Sequence, residues 1–243
     1  MLENGYVIIE GNIGVGKSTF AGHLAGALQA KGLKATALYE PDETNNPFLP
    51  LYYADPKKHA YEMQMHLLHK RYAVTQYAQW GAMSGQGWFI LDRSFYGDLC
   101  FAAVQMRDGY FTPEQVESYH AAHRNMELHL GMPTAAVFLH ADAEQCRARI
   151  SKRMGEKAGR ECESGISLKY LTDLQSEIDR LEGYITGRTR VFSSLWQSCT
   201  PEQLAQKAGE FASRLVDGVS CVPSYFCPWG SDFASLIDRR TLG

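Results

Sequence analysis

The chain alternates between short apolar runs and longer segments with helical spacing. Apolar, β-branched and aromatic residues dominate five short runs, and we predict strands at residues 6–10, 35–40, 88–92, 135–140 and 191–196. Between and after them, helical spacing or helix-favouring composition predicts helices over residues 18–31, 57–83, 95–107, 113–130, 143–152, 167–186 and 202–216. This alternation is typical of βαβ units, so we predict an α/β fold with a mostly parallel sheet covered by helices on both faces.

Three of the predicted strands end in a carboxylate, at Glu10, Glu40 and Asp92. Ligands of open α/β sheets bind beyond the carboxyl ends of the strands. We therefore expect these three side chains to share one crevice.

A phosphate-binding pattern lies between the first predicted strand and the first predicted helix. Residues 11–18 read GNIGVGKS, which fits the P-loop pattern G-x-x-x-x-G-K-[ST]. Its glycines let backbone N–H groups converge on phosphate oxygens, and the helix N-terminus adds partial positive charge. Lys17 should reach the terminal phosphates and Ser18 should ligate Mg²⁺. The predicted nucleotide-binding residues here are Gly11, Asn12, Gly14, Gly16, Lys17, Ser18 and Thr19.

The third predicted strand leads into DRSFYGD, residues 92–98. An Asp at a strand end is often only a helix cap or a turn residue. Here Arg93 and Asp98 add a guanidinium and a second carboxylate at the same junction, which favours a site. We predict that Asp92 supports Mg²⁺, as a carboxylate at this position does in P-loop enzymes.

The P-loop alone does not distinguish a kinase from other P-loop proteins, so the residues that would contact the phosphate acceptor are needed to do so. Glu40 precedes a proline, which favours an extended backbone and fixes the direction of a carboxylate suited to take a hydroxyl proton. A solvated Glu at a strand end is the alternative. On the helix predicted for residues 57–83, Gln64 and Arg71 lie on a mostly apolar face and need partners. The edge of a heterocycle would supply them, and so would an internal salt bridge to Asp98; the two readings are compatible.

Length, charge and cysteine content indicate which classes of partner the chain is suited to bind. A chain of 243 residues with a net charge of −3 is expected to form one domain and shows no general attraction to nucleic acid. No apolar run approaches the roughly 20 residues that span a bilayer. Six cysteines without a CxxC pair, and no signal peptide, predict a reducing compartment and a cytoplasmic location. A small-molecule substrate fits these features better than a polymer or a membrane.

Residues 147–171 carry several arginines and lysines ahead of a predicted helix. Such a run is usually a solvated helix end. In a phosphate-transferring protein we instead predict an arginine-rich lid that closes on the phosphate donor. Arginines neutralise the charge of the transition state, and closure of a lid excludes water.

Together the motifs resemble the deoxyribonucleoside kinase family, which contains deoxycytidine, deoxyguanosine and deoxyadenosine kinases. The resemblance runs from Tyr6 to about Trp196 and rests on EGNIGVGKST, EP, LYYADPKKHAYEMQMHLLHKR, LDRSFYGD and GRECESGISLKYL in the expected order. It implies a P-loop kinase fold with a five-stranded parallel sheet and an arginine-rich lid. It further implies phosphoryl transfer from ATP with Mg²⁺ to a deoxynucleoside, and a homodimer.

The resemblance also implies individual roles. Glu40 would be the general base for the 5′-hydroxyl, with Arg93 stabilising charge and Lys17 on the phosphates. Contacts to the sugar would come from Tyr53 and Glu163, contacts to the base from Gln64, Arg71 and Asp98, and lid contacts from Arg153 and Arg160. The resemblance implies that a carboxylate at position 98, together with the Arg and the Gln, suits a purine or deoxycytidine rather than thymidine; we expect a purine, with guanine slightly ahead of adenine.

Some features depart from the family. The family often has Glu at the position of Asp92. The Asp found here resembles the form in bacterial purine deoxynucleoside kinases. Cys162 replaces the first Glu of the usual Arg-x-Glu-Glu pattern, and the segment between Arg153 and Arg160 is longer than usual. We assign residues 1–217 to the kinase domain and 218–243 to a C-terminal tail without a family counterpart.

Two alternatives remain open from the residues. One is another P-loop phosphotransferase, acting on a nucleoside monophosphate or on a modified base in DNA; the overall charge does not favour it. The other is a non-catalytic kinase-fold subunit, which the presence of Lys17, Glu40 and Arg93 does not favour.

Overall fold

Strands and helices alternate along the chain as the sequence predicts. The structure is a computed structural model and describes residues 2–40, 46–156, 165–196 and 200–217, without the side chains at positions 53, 156 and 201. The strands are β1 (Gly5–Gly11), β2 (Ala35–Leu38), β3 (Trp88–Asp92), β4 (Ala135–His140) and β5 (Arg190–Leu195). The helices are α1 (Lys17–Gln29), α2 (Leu49–Ala54), α3 (Pro56–Met83), α4 (Phe95–Arg107), α5 (Pro113–Glu127), α6 (Ala143–Glu156), α7 (Leu168–Ile185) and α8 (Pro201–Val216).

The five strands form one parallel sheet in the order β2-β3-β1-β4-β5. Ile8 at its centre lies opposite Leu91 of β3 and Ala136 of β4. The chain runs from β1 to the edge strand β2, returns to β3 beside β1, and then crosses to β4 and β5 on the other side, so the strand order reverses at β1. A ligand crevice is expected at such a reversal, beyond the carboxyl end of β1.

Both faces of the sheet are covered. On one face α1 and α8 bury residues such as Phe20, Leu24 and Phe211. On the other, α3, α4, α5 and α7 bury residues such as Leu68 and Phe95. Each fully buried side chain of this size contributes about 1.5–3 kcal/mol to folding. The two-sided burial explains why all residues of β1 and β3 are buried, and it holds the carboxyl ends of these strands in fixed positions.

Local signals set where the helices begin. Ser94 caps α4 by accepting a hydrogen bond from the Tyr96 N–H, and Asp55 caps α3 in front of Pro56. Gly16, in the left-handed region with φ 107°, begins α1. Because β1 and β3 are neighbours, the first turns of α1 and α4, which follow them, both lie at the carboxyl edge of the sheet.

The sequence prediction differs from the structure in detail. β2 ends at Leu38, so Glu40 lies two residues beyond the strand rather than at its last position. Helix α2 was not predicted, because six residues that include a proline are too short for a helical period to stand out. Residues 218–243, which we assigned to a tail, lie outside the part that is described. None of the helices in the described ranges combines the length and apolar character needed to cross a membrane.

Candidate active site

The loop between β1 and α1 needs its glycines. Gly11, Gly14 and Gly16 have φ values of 149°, 78° and 107°, which favour glycine. A Cβ at Gly14 would lie 2.6 Å from the carbonyl oxygen of Cys146, and one at Gly11 would lie 2.5 Å from that of Leu139. The loop therefore follows the backbone path that its sequence pattern predicts.

Lys17 is the first residue of α1, and its ammonium folds back onto the backbone of the loop. Its Nζ donates to the carbonyl oxygens of Gly11 at 3.2 Å and Asn12 at 2.9 Å. Burial and then the nearby Arg93 guanidinium lower the pKa of Lys17 to about 8. The ammonium is thus mostly protonated at neutral pH, and its neighbours are groups that a phosphate oxygen can replace.

Ser18 and Asp92 come from different elements and meet beside the loop. The Ser18 hydroxyl donates a hydrogen bond to Asp92 Oδ2. Both supply hard oxygen atoms, which Mg²⁺ prefers, and both line the same cavity. The predicted metal pair is therefore brought together by the neighbouring positions of β1 and β3.

Glu40 is held between two arginines. Its Oε1 accepts from Arg71 Nε at 3.0 Å and also from Arg71 Nη2, while its Oε2 accepts from Arg93 Nε at 3.2 Å. Burial raises the pKa of Glu40, but Arg71 and then Arg93 outweigh it and lower the value to about 2. The carboxylate, 29% exposed, is therefore ionised at neutral pH and fixed in direction.

Arg93 has a left-handed backbone with φ 74°, which is uncommon outside glycine. Its guanidinium lies over the Phe101 ring, 4.3 Å from the centroid, and its Nη1 is 3.7 Å from Glu10 Oε2. Glu10 is fully buried and accepts from the Ser94 N–H at 2.9 Å and its hydroxyl at 2.7 Å. Our expectation that Glu10 shares the crevice is wrong: it lies behind Arg93 and does not line the cavity.

A buried polar cluster lies at the other end of the site. Asp98, fully buried, accepts from Arg71 Nη1, from Gln64 Nε2 at 2.8 Å and from the Tyr119 hydroxyl at 2.5 Å. The salt bridge considered from the sequence is present, and Gln64 and Arg71 still line the cavity. Asp98 itself lies behind them and orients both.

These groups surround one cavity of about 690 Å³. The predicted site residues that line it are Gly14, Lys17, Ser18, Glu40, Gln64, Arg71, Asp92, Arg93 and Arg153. Of the others, Gly11, Asn12, Gly16 and Thr19 lie in or beside the loop between β1 and α1 but do not line the cavity, and neither does Asp98; the Tyr53 side chain, Arg160 and Glu163 lie outside the described residues. Tyr52, Phe101, Gln105 and Tyr170 also line it and were not selected from the sequence, because nothing in their spacing distinguishes them from core positions.

Asn12 anchors the loop rather than facing the cavity. Its Nδ2 donates to the carbonyl oxygen of Leu171 at 2.7 Å, and its Oδ1 accepts from the Ile13 N–H at 2.9 Å. Asn12 therefore fixes the first residues of the loop against α7.

Comparison with known proteins identifies the family. Residues 7–186 match the family model described as deoxynucleoside kinase. This chain belongs to the deoxynucleoside kinase family. It is 34% identical over 170 residues to a deoxyguanosine kinase of Dictyostelium discoideum, covering 70% of this chain and 56% of the relative. It is 29% identical over 206 residues to a deoxyadenosine kinase of the same organism, covering 84% and 78%.

Other relatives agree with this family assignment. A deoxyguanosine kinase of Lactobacillus acidophilus is 32% identical over 183 residues, which cover 73% of this chain and 72% of the relative. A solved structure of deoxyadenosine kinase from M. mycoides superposes with a TM-score of 0.68 at 22% identity, over 88% of this chain and 100% of that one. The structural likeness supports the fold: a P-loop kinase architecture with a five-stranded parallel sheet.

Proposed function

We propose that the protein transfers the γ-phosphoryl group of ATP to the 5′-hydroxyl of a purine deoxyribonucleoside. The observation that carries this proposal is the position of Glu40, an ionised carboxylate held by Arg71 and Arg93 in the same cavity as Lys17 and Ser18. A phosphate cradle and a carboxylate aimed across one cavity are the two parts that transfer to a hydroxyl requires.

In the proposed reaction the sugar 5′-oxygen forms a bond to the γ-phosphorus, and the bond from that phosphorus to the β–γ bridging oxygen breaks, which releases ADP. The hydroxyl proton passes to Glu40. Among the described residues, Oε2 of Glu40 accepts a hydrogen bond only from Arg93 Nε, which leaves room for the hydroxyl. Lys17 and Arg93 stabilise the charge that spreads over the transferring group.

Mg²⁺ fits this site, because the adjoining oxygens of Ser18 and Asp92 are the hard ligands it takes. When bound with the triphosphate, it neutralises phosphate charge. The chain's own residues hold the donor through the N–H groups of the loop and through Lys17. Arg153, at the end of α6, lines the cavity and is proposed, together with Arg160, to belong to a lid that covers the donor.

A purine preference is supported by two features. Arg71 and Gln64 line the cavity from one helix, and polar side chains there suit the edge of a heterocycle. The Dictyostelium and Lactobacillus relatives reported above carry the names deoxyguanosine kinase and deoxyadenosine kinase. Asp98 acts on this preference by orienting Arg71 and Gln64, and Tyr53 and Glu163 are proposed to hold the sugar.

We also propose a homodimer in the cytoplasm, as the family resemblance implies. Cys100 and Cys146 are buried free thiols, which fit a reducing compartment. Light scattering coupled to size-exclusion chromatography measures the assembly directly, and a mass of one chain contradicts the dimer.

The decisive experiment is ADP production by the purified protein with ATP and Mg²⁺. Deoxyguanosine, deoxyadenosine, deoxycytidine and thymidine are supplied separately, with nucleoside monophosphates and DNA alongside, and Lys17→Ala serves as the inactive control. We expect turnover with deoxyguanosine or deoxyadenosine and a 5′-monophosphate product. ATP binding without turnover of any nucleoside contradicts the proposal.

A further inference from the structure

Gln105 lines the cavity beside Gln64, and its side-chain oxygen has no hydrogen-bond partner among the residues that the structure describes. It lies on α4, seven residues after Asp98, and is 1% exposed. Buried amide oxygens in native proteins nearly always have a partner, and an exception at the wall of a cavity points to a ligand.

The orientation of the neighbouring amides follows from Asp98. Gln64 contacts the Asp98 carboxylate at 2.8 Å and the Asp98 backbone carbonyl at 3.3 Å with the same end of its amide. Both of those groups only accept, so this end of Gln64 must be the NH₂ group. The opposite end of Gln64 is therefore the oxygen.

The same reasoning extends to Gln105. Its amide contacts the Gln64 oxygen at 3.2 Å, and that oxygen can only accept. The contacting end of Gln105 must then be its NH₂ group, which leaves its Oε1 as the unpartnered end. The carboxylate of Asp98 thus fixes the orientation of the Gln64 amide, and Gln64 in turn fixes that of the Gln105 amide. The last group in this chain of hydrogen bonds is Gln105 Oε1, an acceptor.

We propose that Gln105 is a specificity-determining residue whose Oε1 accepts a hydrogen bond from the exocyclic amine of the purine. The inference rests on the proposed function, because it requires a nucleoside in this cavity. A base that presents a carbonyl oxygen at this point meets a second acceptor and is disfavoured, whereas a base with an amine there satisfies both partners. Asp98 already has three hydrogen-bond partners, and Gln105 adds an acceptor that is not yet used.

The test compares substrates that differ only in the amine. Deoxyguanosine is compared with deoxyinosine, and deoxyadenosine with purine 2′-deoxyriboside, through kcat/KM for the wild type and for Gln105→Met. We expect the wild type to favour the amine-bearing member of its preferred pair by about tenfold or more. In Gln105→Met, which keeps length and volume without the amide, this ratio should fall to about one.

Met106→Leu is the matched control, since Met106 is the next residue on α4, is buried and does not line the cavity. It should keep the wild-type ratio. Gln105→Leu is the second variant: it also removes the acceptor, so the amine ratio should fall to about one in it even where Gln105→Met folds poorly. Thermal unfolding establishes which variants are folded at the assay temperature.

The outcomes separate this inference from the proposed function. An unchanged amine ratio in folded Gln105→Met, or a wild type that does not discriminate, overturns the role of Gln105 while leaving the kinase proposal intact. A wild type that turns over no nucleoside contradicts the kinase proposal. In that case calorimetric binding of deoxyguanosine and deoxyinosine to both proteins still tests Gln105, and equal affinities overturn its role.

Discussion

Replacing Glu40 by Gln is the most direct test of the proposed chemistry. The carboxylate accepts from Arg71 Nε at 3.0 Å through Oε1 and from Arg93 Nε at 3.2 Å through Oε2. A Gln side chain keeps one oxygen, so its NH₂ group must face one of the two guanidinium groups, neither of which can accept. The substitution therefore removes the proposed base and releases one of the arginines.

The size of both effects can be worked out. Loss of a general base lowers turnover typically about 10²–10⁴-fold, and we expect kcat to fall within that range. The pKa of Glu40 is lowered from 4.5 to about 2, which corresponds to at most about 3 kcal/mol of folding free energy. Since the side chain is 29% exposed, solvent screening reduces this to about 1–2 kcal/mol. Because the folded-state pKa is depressed, this stabilisation is complete above pH 4.5 and lost as pH falls toward 2.

The assay is steady-state ADP release at neutral pH with a saturating nucleoside, at a temperature where thermal unfolding shows the variant to be folded. ATP affinity, measured by equilibrium titration, should stay close to the wild-type value, because the proposed contacts to the donor come from Lys17, Ser18 and the N–H groups of the loop, and Glu40 is not among them. Glu117→Gln, the same change at an exposed position on α5, is the matched control. Near-normal turnover in folded Glu40→Gln refutes the general-base role.

Four further predictions follow from the same geometry. Asp98→Ala leaves Arg71 with one carboxylate fewer, so we expect a stability loss of about 3–5 kcal/mol in urea unfolding and altered kcat/KM ratios among nucleosides; unchanged ratios remove Asp98 from base selection. ATP affinity should weaken as pH rises through about 8, where Lys17 loses its proton, and Lys17→Met should abolish that dependence in titrations; a flat wild-type profile contradicts this. Ser18→Ala should raise the Mg²⁺ concentration for half-maximal turnover, and an unchanged value excludes Ser18 as a ligand. Gly97→Ala places a Cβ against the Glu10 carboxylate and should cost about 1–3 kcal/mol by thermal unfolding, whereas a wild-type midpoint would show that Glu10 moves freely.

The sheet and the phosphate loop could be predicted because their signals are local. All five predicted strands form, and β3 and β4 have the predicted bounds. The runs are apolar throughout because both faces are buried, and residues 11–18 combine glycines that need left-handed φ with a lysine and a hydroxyl. The Ser18–Asp92 pair could also be predicted, since both residues lie at the carboxyl edge of neighbouring strands.

The polar cluster could be predicted only in part, because its members come from separate elements. Gln64 and Arg71 stood out as polar residues on an apolar helical face, and their partner Asp98 was a reasonable candidate. Gln105 and Tyr119 join the same cluster from other positions in helices where nothing in the sequence distinguishes them from core residues. Their selection needs the distances between helices, which local patterns do not contain.

Arg93 shows how contacts that could not be predicted from the sequence bear on the proposed function. A left-handed backbone at a residue with a Cβ costs roughly 1–2 kcal/mol, and such strain persists only where the surroundings enforce it. Here the Arg93 N–H is bound to the Ile9 carbonyl at 3.0 Å, and the guanidinium is held by Glu40, Glu10 and the ring of Phe101. The sequence does not reveal that Glu10 helps to hold Arg93, because there Glu10 only ends a strand. These contacts offset the strain and fix the guanidinium before a donor binds, so that in the proposed reaction Arg93 needs no reorganisation when charge develops on the transferring phosphoryl group.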